Sequence, residues 1–234
     1  MKIGMVSLSV AFGVVVLGGA LPAAGDAFEN YGQSYRAFST PPIGDGSFGV
    51  TGDALPDGRL LMVTGNSVFV ESAVGSGLFD EVGVFDASQT GGAADPAFLS
   101  VSPDGSRVAV GVGFGKPVAV FDVAALGSAG SPTMLTSGSV ADYFAVGHFA
   151  GAWYDNTQLA LTAGAFGSEA FVSLLDTTSD VGSPVNELVI TEIAGASAGV
   201  AFDSAGRLYT ANGFADGSGS GTGNIRVFEP AEWM

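Results

Sequence analysis

The sequence contains no cysteine, one histidine and only seven lysine and arginine residues among 234. Without cysteine there is no disulfide framework, no thiolate metal site and no cysteine for a lipid anchor. One histidine excludes the histidine-rich zinc sites of many hydrolases, so a metal would need carboxylate ligands. The 23 acidic residues give a formal net charge of −16, which disfavours nucleic acid and anionic lipid as partners. Solubility and cation binding both remain open as reasons for this acidity.

Residues 1–27 have the pattern of a cleaved signal peptide. Lys2 is followed by an apolar run over residues 6–21 and by small residues over 22–27, with cleavage expected after Gly25 or Ala27. The run is shorter than the roughly 20 residues that a spanning helix needs. We therefore expect a secreted, periplasmic or cell-surface protein of a bacterium, with no membrane insertion after cleavage. Bacterial export also suits a chain without cysteine.

A strand–turn–strand unit recurs four times in the rest of the chain. Its turns are built on Asp and mostly Gly, at residues 56–58, 103–105, 155–157 and 203–206. The strands after the turns begin 48, 51 and 49 residues apart, at Leu60, Val108, Leu159 and Leu208. A later strand ends in an acid in each unit, at residues 82–86, 118–122, 172–176 and 225–229. An all-strand repeat of about 50 residues is typical of a β-propeller.

The sequence thus predicts an all-β fold, a β-propeller with four recognisable four-stranded blades over residues 47–229. The blades are expected at residues 47–90, 91–138, 139–194 and 195–229. In the first, residues 66–80 are interpreted as an insertion before the closing strand, in which residues 67–71 look strand-like and would extend the hairpin. In the second, residues 133–136 are interpreted as the outer strand. Glycine is abundant, at 37 residues, which suits many short strands and tight turns.

The fourth blade has only three strands in this pattern, and two explanations remain open. Residues 33–39, in the N-terminal segment 28–46, would supply the missing closing strand of a four-bladed disc. Alternatively, the chain is incomplete and the four blades are part of a larger propeller of six to eight blades, which lies within the range of about four to eight found in closed propellers. Residues 230–234, with Pro230 at a first helical position, have the pattern of a helix start and are interpreted as the beginning of a truncated helix.

The segments 98–111 and 200–212 resemble blades of secreted bacterial propellers of the YVTN, NHL and SMP-30-like superfamily. The resemblance covers about residues 47–229, and its motifs specify blade structure only. It implies a propeller related to lactonases, quinoprotein-type dehydrogenases and proteins of no assigned activity. The chain does not look like a WD40 propeller, because no Gly-His and Trp-Asp pair recurs, and Kelch double-glycine motifs are also missing.

Two apparent catalytic motifs fail when their context is considered. Residues 195–199 match the Gly-x-Ser-x-Gly nucleophile elbow, but strands rather than a helix are expected next, and the only histidine precedes the serine. Residues 111–116 suggest a phosphate-binding loop, but Pro117 replaces the required Ser or Thr. We interpret both segments as turns between strands.

Acidic residues stand before three strands that we interpret as inner strands: Asp45, Asp95 and Asp142. Inner strands converge on the axis of a propeller, so these carboxylates, with His148, are the candidate ligand-binding residues. Oxygen ligands of this kind suit Ca²⁺ as a possible cofactor. The alternative is ordinary turn chemistry of Asp before a strand and a hydrogen-bonded structural histidine.

The resulting functional hypothesis is a secreted, non-catalytic propeller that binds a ligand, or a protein or glycan of the cell surface, as a scaffold. The alternative is a lactonase-like hydrolase with a carboxylate-bound divalent cation in the central channel. A third class, quinoprotein-type redox activity, lacks a recognisable cofactor pocket in the sequence.

Overall fold

The computed structural model describes residues 50–92, 96–112, 118–136, 140–144, 150–163, 169–178, 186–194, 197–212 and 225–233. Within these ranges, regular structure is nearly all β, with sixteen strands in four sheets, two one-turn α-helices and one 3₁₀ turn at Val123–Ala125. None of the described helices is long and apolar enough to cross a membrane. The predicted signal peptide 1–27 and segment 28–46 lie outside the described residues.

The strands form four small sheets. The first contains β1 (Val50–Ala54), β2 (Leu60–Thr64), β3 (Ser67–Glu71), β4 (Phe79–Phe85) and β8 (Thr133–Leu135), in that order. The second contains β5 (Phe98–Val101), β6 (Arg107–Gly111), β7 (Val118–Asp122) and β9 (Val140–Phe144). The third contains β10 (Gly151–Trp153), β11 (Gln158–Ala163), β12 (Glu169–Asp176) and β13 (Asn186–Ala194). The fourth contains β14 (Ser197–Phe202), β15 (Leu208–Asn212) and β16 (Ile225–Phe228), and the helices are α1 (Ala87–Thr90) and α2 (Pro230–Trp233).

Each sheet begins with a hairpin whose turn is stabilised by an aspartate, as the sequence predicted. The carboxylate Oδ1 accepts the backbone N–H two residues further on, at 2.7–3.0 Å, in Asp57, Asp104, Asp155 and Asp203. This side-chain bond adds to the backbone bonds of the turns, such as Gly58 N–H to the carbonyl of Leu55, and favours the tight reversal. The helical start at Pro230 is also confirmed, since α2 begins there.

The sheets stack face against face, and three apolar clusters form the core. One cluster lies between the first and second sheets, another between the second and third, and a third between the third and fourth. The first strands of successive sheets also contact one another, β1 with β5, β5 with β10, and β10 with β14. The first strands therefore lie together on one side of the stack.

One pair of apolar residues recurs on the third strand of every sheet, and in the first three sheets it faces the next sheet. The pairs are Val68 and Val70, Val118 and Val120, Val172 and Leu174, and Ile225 and Val227. The first three pairs are buried in the clusters just described. Ile225 and Val227 are 66% and 47% exposed, because no described sheet follows the fourth.

The first sheet differs from the sequence interpretation. The strand-like segment 67–71 of the interpreted insertion is indeed a strand, β3, but it is the third strand of the sheet, and residues 82–85 belong to the fourth strand β4. The long interval between Leu60 and Asp86 therefore contains an additional strand. Asp86 ends this interval as the N-cap of α1, where its Oδ1 accepts the N–H of Ser88 at 2.8 Å.

The assignment of residues 133–136 to the outer strand of the second blade is wrong. β8 pairs in parallel with β4 of the first sheet, and the fourth strand of the second sheet is β9, which pairs with β7. The connection between β7 and β8 therefore runs over to the first sheet. There the N–H of Gly127 donates to the carbonyl of Val82 at 2.7 Å. Leu126 packs against the first core cluster from this connection. Apolar patterning alone does not distinguish which sheet a three-residue strand joins.

Candidate functional site

The residues singled out from the sequence are only partly within the described structure. Asp45, Asp95 and His148 lie outside the described residues, so their role as ligands stays a prediction. Asp142 lies in β9, opposite Val120 of β7. Because β9 is at the far end of its sheet from β5, Asp142 does not precede an inner strand, contrary to the sequence interpretation. In the described part of the chain, no three residues of the metal-ligating types are grouped closely enough to hold an ion.

The turn aspartates have structural partners. Hydrogen bonds from the backbone of Arg59 and of Ser106 lower the pKa of Asp57 and Asp104 below the usual value. A hydrogen bond from the side chain of Ser88 lowers the pKa of Asp86 as well. Each carboxylate is thus held ionised by the turn or helix that it stabilises, which favours turn chemistry over a ligand-binding role for these acids.

Asp203 has the most extensive set of partners. Partial desolvation raises its pKa, but hydrogen bonds from the backbone and side chain of Arg207, the hydroxyl of Tyr209 and the backbone of Ala205 lower it to about 2. Arg207 Nε lies 2.7 Å and Tyr209 OH 3.0 Å from Oδ2. The guanidinium also lies 5.9 Å from the centre of the Tyr209 ring. The network closes the fourth hairpin.

Polar bonds between neighbouring sheets fix the side of the stack where the first strands meet. Asp53 Oδ2 accepts the N–H of Val101 at 2.9 Å, and Trp153 Nε1 donates to the carbonyl of Ser100 at 2.9 Å. Asn156 Oδ1 accepts the N–H of Asp104 at 3.0 Å, which joins two successive turns. The first two bonds satisfy backbone groups at the open edge of β5, and all three link adjacent sheets.

A cavity of about 320 Å³ lies beside the first sheet, where the β7–β8 connection crosses it. Its apolar wall is formed by Leu55, Val70, Val82 and Leu126. This volume is at the lower end of the range of roughly 300–1,000 Å³ that is typical of ligand pockets. The cavity is therefore a candidate binding site formed by described residues, and we refer to it as the crossing pocket.

Three charged residues also line the crossing pocket: Arg59, Glu71 and Asp80. Glu71 has no exposed surface; its Oε1 accepts the N–H of Gly77 at 2.9 Å, and its Oε2 lies 3.4 Å from the N–H of Leu60. The charge of Arg59 is shared with Asp57, because Nε and Oδ2 are 2.7 Å apart. The pocket consequently has an excess of negative charge beside apolar walls.

Sequence reasoning missed the crossing pocket. Its lining comes from the hairpin of the first sheet, from β3 and β4, and from a connection that belongs in sequence to the second sheet. The available signal was Glu71, a charged residue that ends an otherwise apolar strand run at residues 68–71. A fully buried glutamate is rare unless it is paired, so a charge at such a position merits attention.

Comparison with known proteins identifies fold neighbours only. No protein-family model matches the chain, and no curated protein matches it. Among solved structures, the C-terminal WD40 domain of Sif2 matches with a TM-score of 0.50 and 14% identity, over 77% of this chain and 43% of that chain. U3-55K gives a TM-score of 0.51 and 18% identity, over 78% and 49%. The WD40 domain of Toxoplasma gondii coronin gives 0.50 and 16%, over 76% and 41%.

These matches support the predicted β-propeller fold. At identities of 14–18% the likeness concerns the fold alone, and the sequence lacks the recurring WD40 motifs. The chain spans less than half the length of each of these three solved chains.

Proposed function

We propose that the protein is a secreted, non-catalytic β-propeller that acts as a binding or scaffold module. Its blades resemble those of the YVTN, NHL and SMP-30-like superfamily. The observation that carries this proposal is the crossing pocket, a cavity of about 320 Å³ built where one connection departs from the repeated unit. Departures from a repeat commonly mark the binding regions of repeat proteins. The partner is a ligand, or a protein or glycan at the cell surface of a bacterium. The protein meets this partner after export and cleavage of the signal peptide 1–27.

We further propose that the four sheets are blades of a larger propeller with six to eight blades. Ile225 and Val227 support this proposal, because the equivalent pairs on the other three sheets are covered by the next sheet. The matched WD40 structures support it too, since this chain accounts for only 41–49% of their length. A following blade would cover the exposed face in the same manner.

The non-catalytic assignment is tested by assaying the purified chain against simple γ- and δ-lactones, with and without millimolar Ca²⁺, and by measuring its melting temperature in the same buffers. We expect no hydrolysis above the buffer rate and no rise in melting temperature with Ca²⁺. Cation-dependent hydrolysis that is lost in Asp142→Ala and retained in Asp155→Ala would overturn the proposal. Asp155 is the matched control because its carboxylate is committed to a turn.

A further inference from the structure

The face of the first sheet that points away from the second sheet is buried, although this sheet is at the end of the stack. Leu61 and Val63 of β2 belong to the first core cluster, so the residues that alternate with them lie on the opposite face. One of these is Met62, which is 4% exposed, and its partner in register on β3, Phe69, is 9% exposed. Among the described residues, the buried apolar side chains that belong to none of the three core clusters are these two and Leu60. Packing between the four sheets therefore does not account for the burial of this face.

The other large apolar side chains of the first sheet do not account for it either. Val74 and Leu78, in the loop between β3 and β4, are 60% and 65% exposed, and Met134 of β8 is 56% exposed. The same face also carries the hydroxyl of Thr64, a residue that is 4% exposed; within the described part of the chain this hydroxyl has no hydrogen-bond partner. A buried hydroxyl without a partner is costly. The covering segment should therefore supply both apolar surface and a hydrogen-bonding group.

We propose that residues 28–46, which precede the first sheet, pack across this face. Only residues 47–49 separate the segment from β1, so it is tethered beside the sheet at a high effective concentration. Fully extended, it would reach about 60 Å, whereas the five strands of the sheet are together about 19 Å wide. The segment has three charged residues and five large apolar ones: Phe28, Tyr31, Tyr35, Phe38 and Ile43.

Other segments fit this position less well. Residues 93–95 and 137–139, which also adjoin strands of the first sheet or the helix after it, have three residues each and no large apolar side chain. At the other end of the stack the fourth sheet has no comparable cover, since Ile225 is 66% exposed. The inference goes beyond the proposed binding function and concerns the first sheet alone.

The test is a set of double-mutant cycles in the purified chain, followed by urea unfolding. One change replaces the aromatic residues of the segment by serine, and the other is Met62→Ala. Val63→Ala is the matched control, because the neighbouring side chain of Val63 faces the second sheet. Phe69→Leu is a milder second probe of the same face, for use if Met62→Ala prevents folding. The aromatic replacements are Phe28→Ser, Tyr31→Ser, Tyr35→Ser and Phe38→Ser.

We expect the four aromatic replacements to lower the urea midpoint, because they remove apolar contacts with the face. In their background, the midpoint shift caused by Met62→Ala or Phe69→Leu should fall to less than about half, since contacts already lost cannot be lost again. The shift caused by Val63→Ala should be the same in both backgrounds. A second control changes polar residues of the segment and should leave the midpoint unchanged: Asn30→Ser, Gln33→Ser, Arg36→Ser and Thr40→Ser.

The proposal is overturned if the aromatic replacements leave the midpoint unchanged, or if the probes of the face shift it equally in both backgrounds. A fall in the Val63→Ala shift of the same size would also overturn it, because the replacements would then loosen the whole sheet. Light scattering should show a monomer. A dimer that Met62→Ala dissociates would mean that a second copy covers the face instead. None of these measurements involves a ligand or a lactone, so the proposed function is tested separately.

Discussion

Replacement of Gly105 by alanine should be one of the most destabilising single-methyl changes in the protein. Gly105 has a φ of +71°, and a Cβ atom there would lie 2.0 Å from Cγ and 2.4 Å from Cδ of Pro56, in the turn of the neighbouring sheet. The left-handed conformation costs alanine about 1–2 kcal/mol. Relief of the overlap requires the two turns to move apart, at about 1–3 kcal/mol for overpacking. The expected loss is therefore about 2–5 kcal/mol.

Gly130→Ala provides a matched control for the conformational part of this cost. Gly130 has a φ of +73°, and a Cβ there would meet no atom within 4 Å. We expect a loss of only about 1–2 kcal/mol. Urea unfolding followed by far-UV circular dichroism measures the stability of both variants. An unchanged m-value allows their unfolding midpoints to be compared directly.

The contact with Pro56 is isolated by a double-mutant cycle with Pro56→Ala, which removes the two ring atoms that Cβ would overlap. In that background, Gly105→Ala should cost no more than Gly130→Ala. Equal losses for the two single glycine variants would refute the close approach of the turns. An excess loss that persists without the proline ring would show that Pro56 is not its cause.

Two other predictions concern the faces and the turns of the sheets. Val120→Ala, at a buried position, should lower the free energy of unfolding in urea by about 1.5–3 kcal/mol. Val227→Ala, at the equivalent half-exposed position of the fourth sheet, should lower it by less than about 0.5 kcal/mol. Equal losses of stability would mean that the exposed face of the fourth sheet is covered in solution. Asp203 has a folded-state pKa lowered to about 2, against about 3.9 in unfolded chains. Its contribution to stability is thus present above pH 4 and is lost as the pH falls towards 2. Asp203→Asn should flatten the fall in urea midpoint between pH 4 and 2, and an unchanged slope would contradict the network around Arg207.

The repeated parts of the fold could be predicted from the sequence because they depend on local chemistry. An aspartate that bonds its own turn, followed by an apolar run, specifies a hairpin without reference to the rest of the chain. The hairpin turns that begin all four sheets are found where this pattern occurs. The helix beginning at Pro230 follows from equally local signals.

The parts that could not be predicted depend on which sheet a segment joins. The strand character of residues 67–71 is visible in the sequence, but their place as the third strand of the sheet is not, because a second apolar run follows within the same interval. β8 pairs with a sheet that began about 80 residues earlier, a choice made by packing against Gly83 and the first core cluster. The crossing pocket depends on that pairing, so its residues have no common sequence signature.

The crossing of the chain from the second sheet to the first and back makes these two sheets a single mechanical unit. β8 is held by β4, while the strands on either side of it in sequence, β7 and β9, are held by each other. Separation of the first sheet from the second would therefore strip β8 from its partner as well as opening the apolar interface. The chain therefore cannot be divided equally well between every pair of successive sheets. A dissection that preserves folded parts should cut after β9, and a cut before β5 should leave both fragments incomplete.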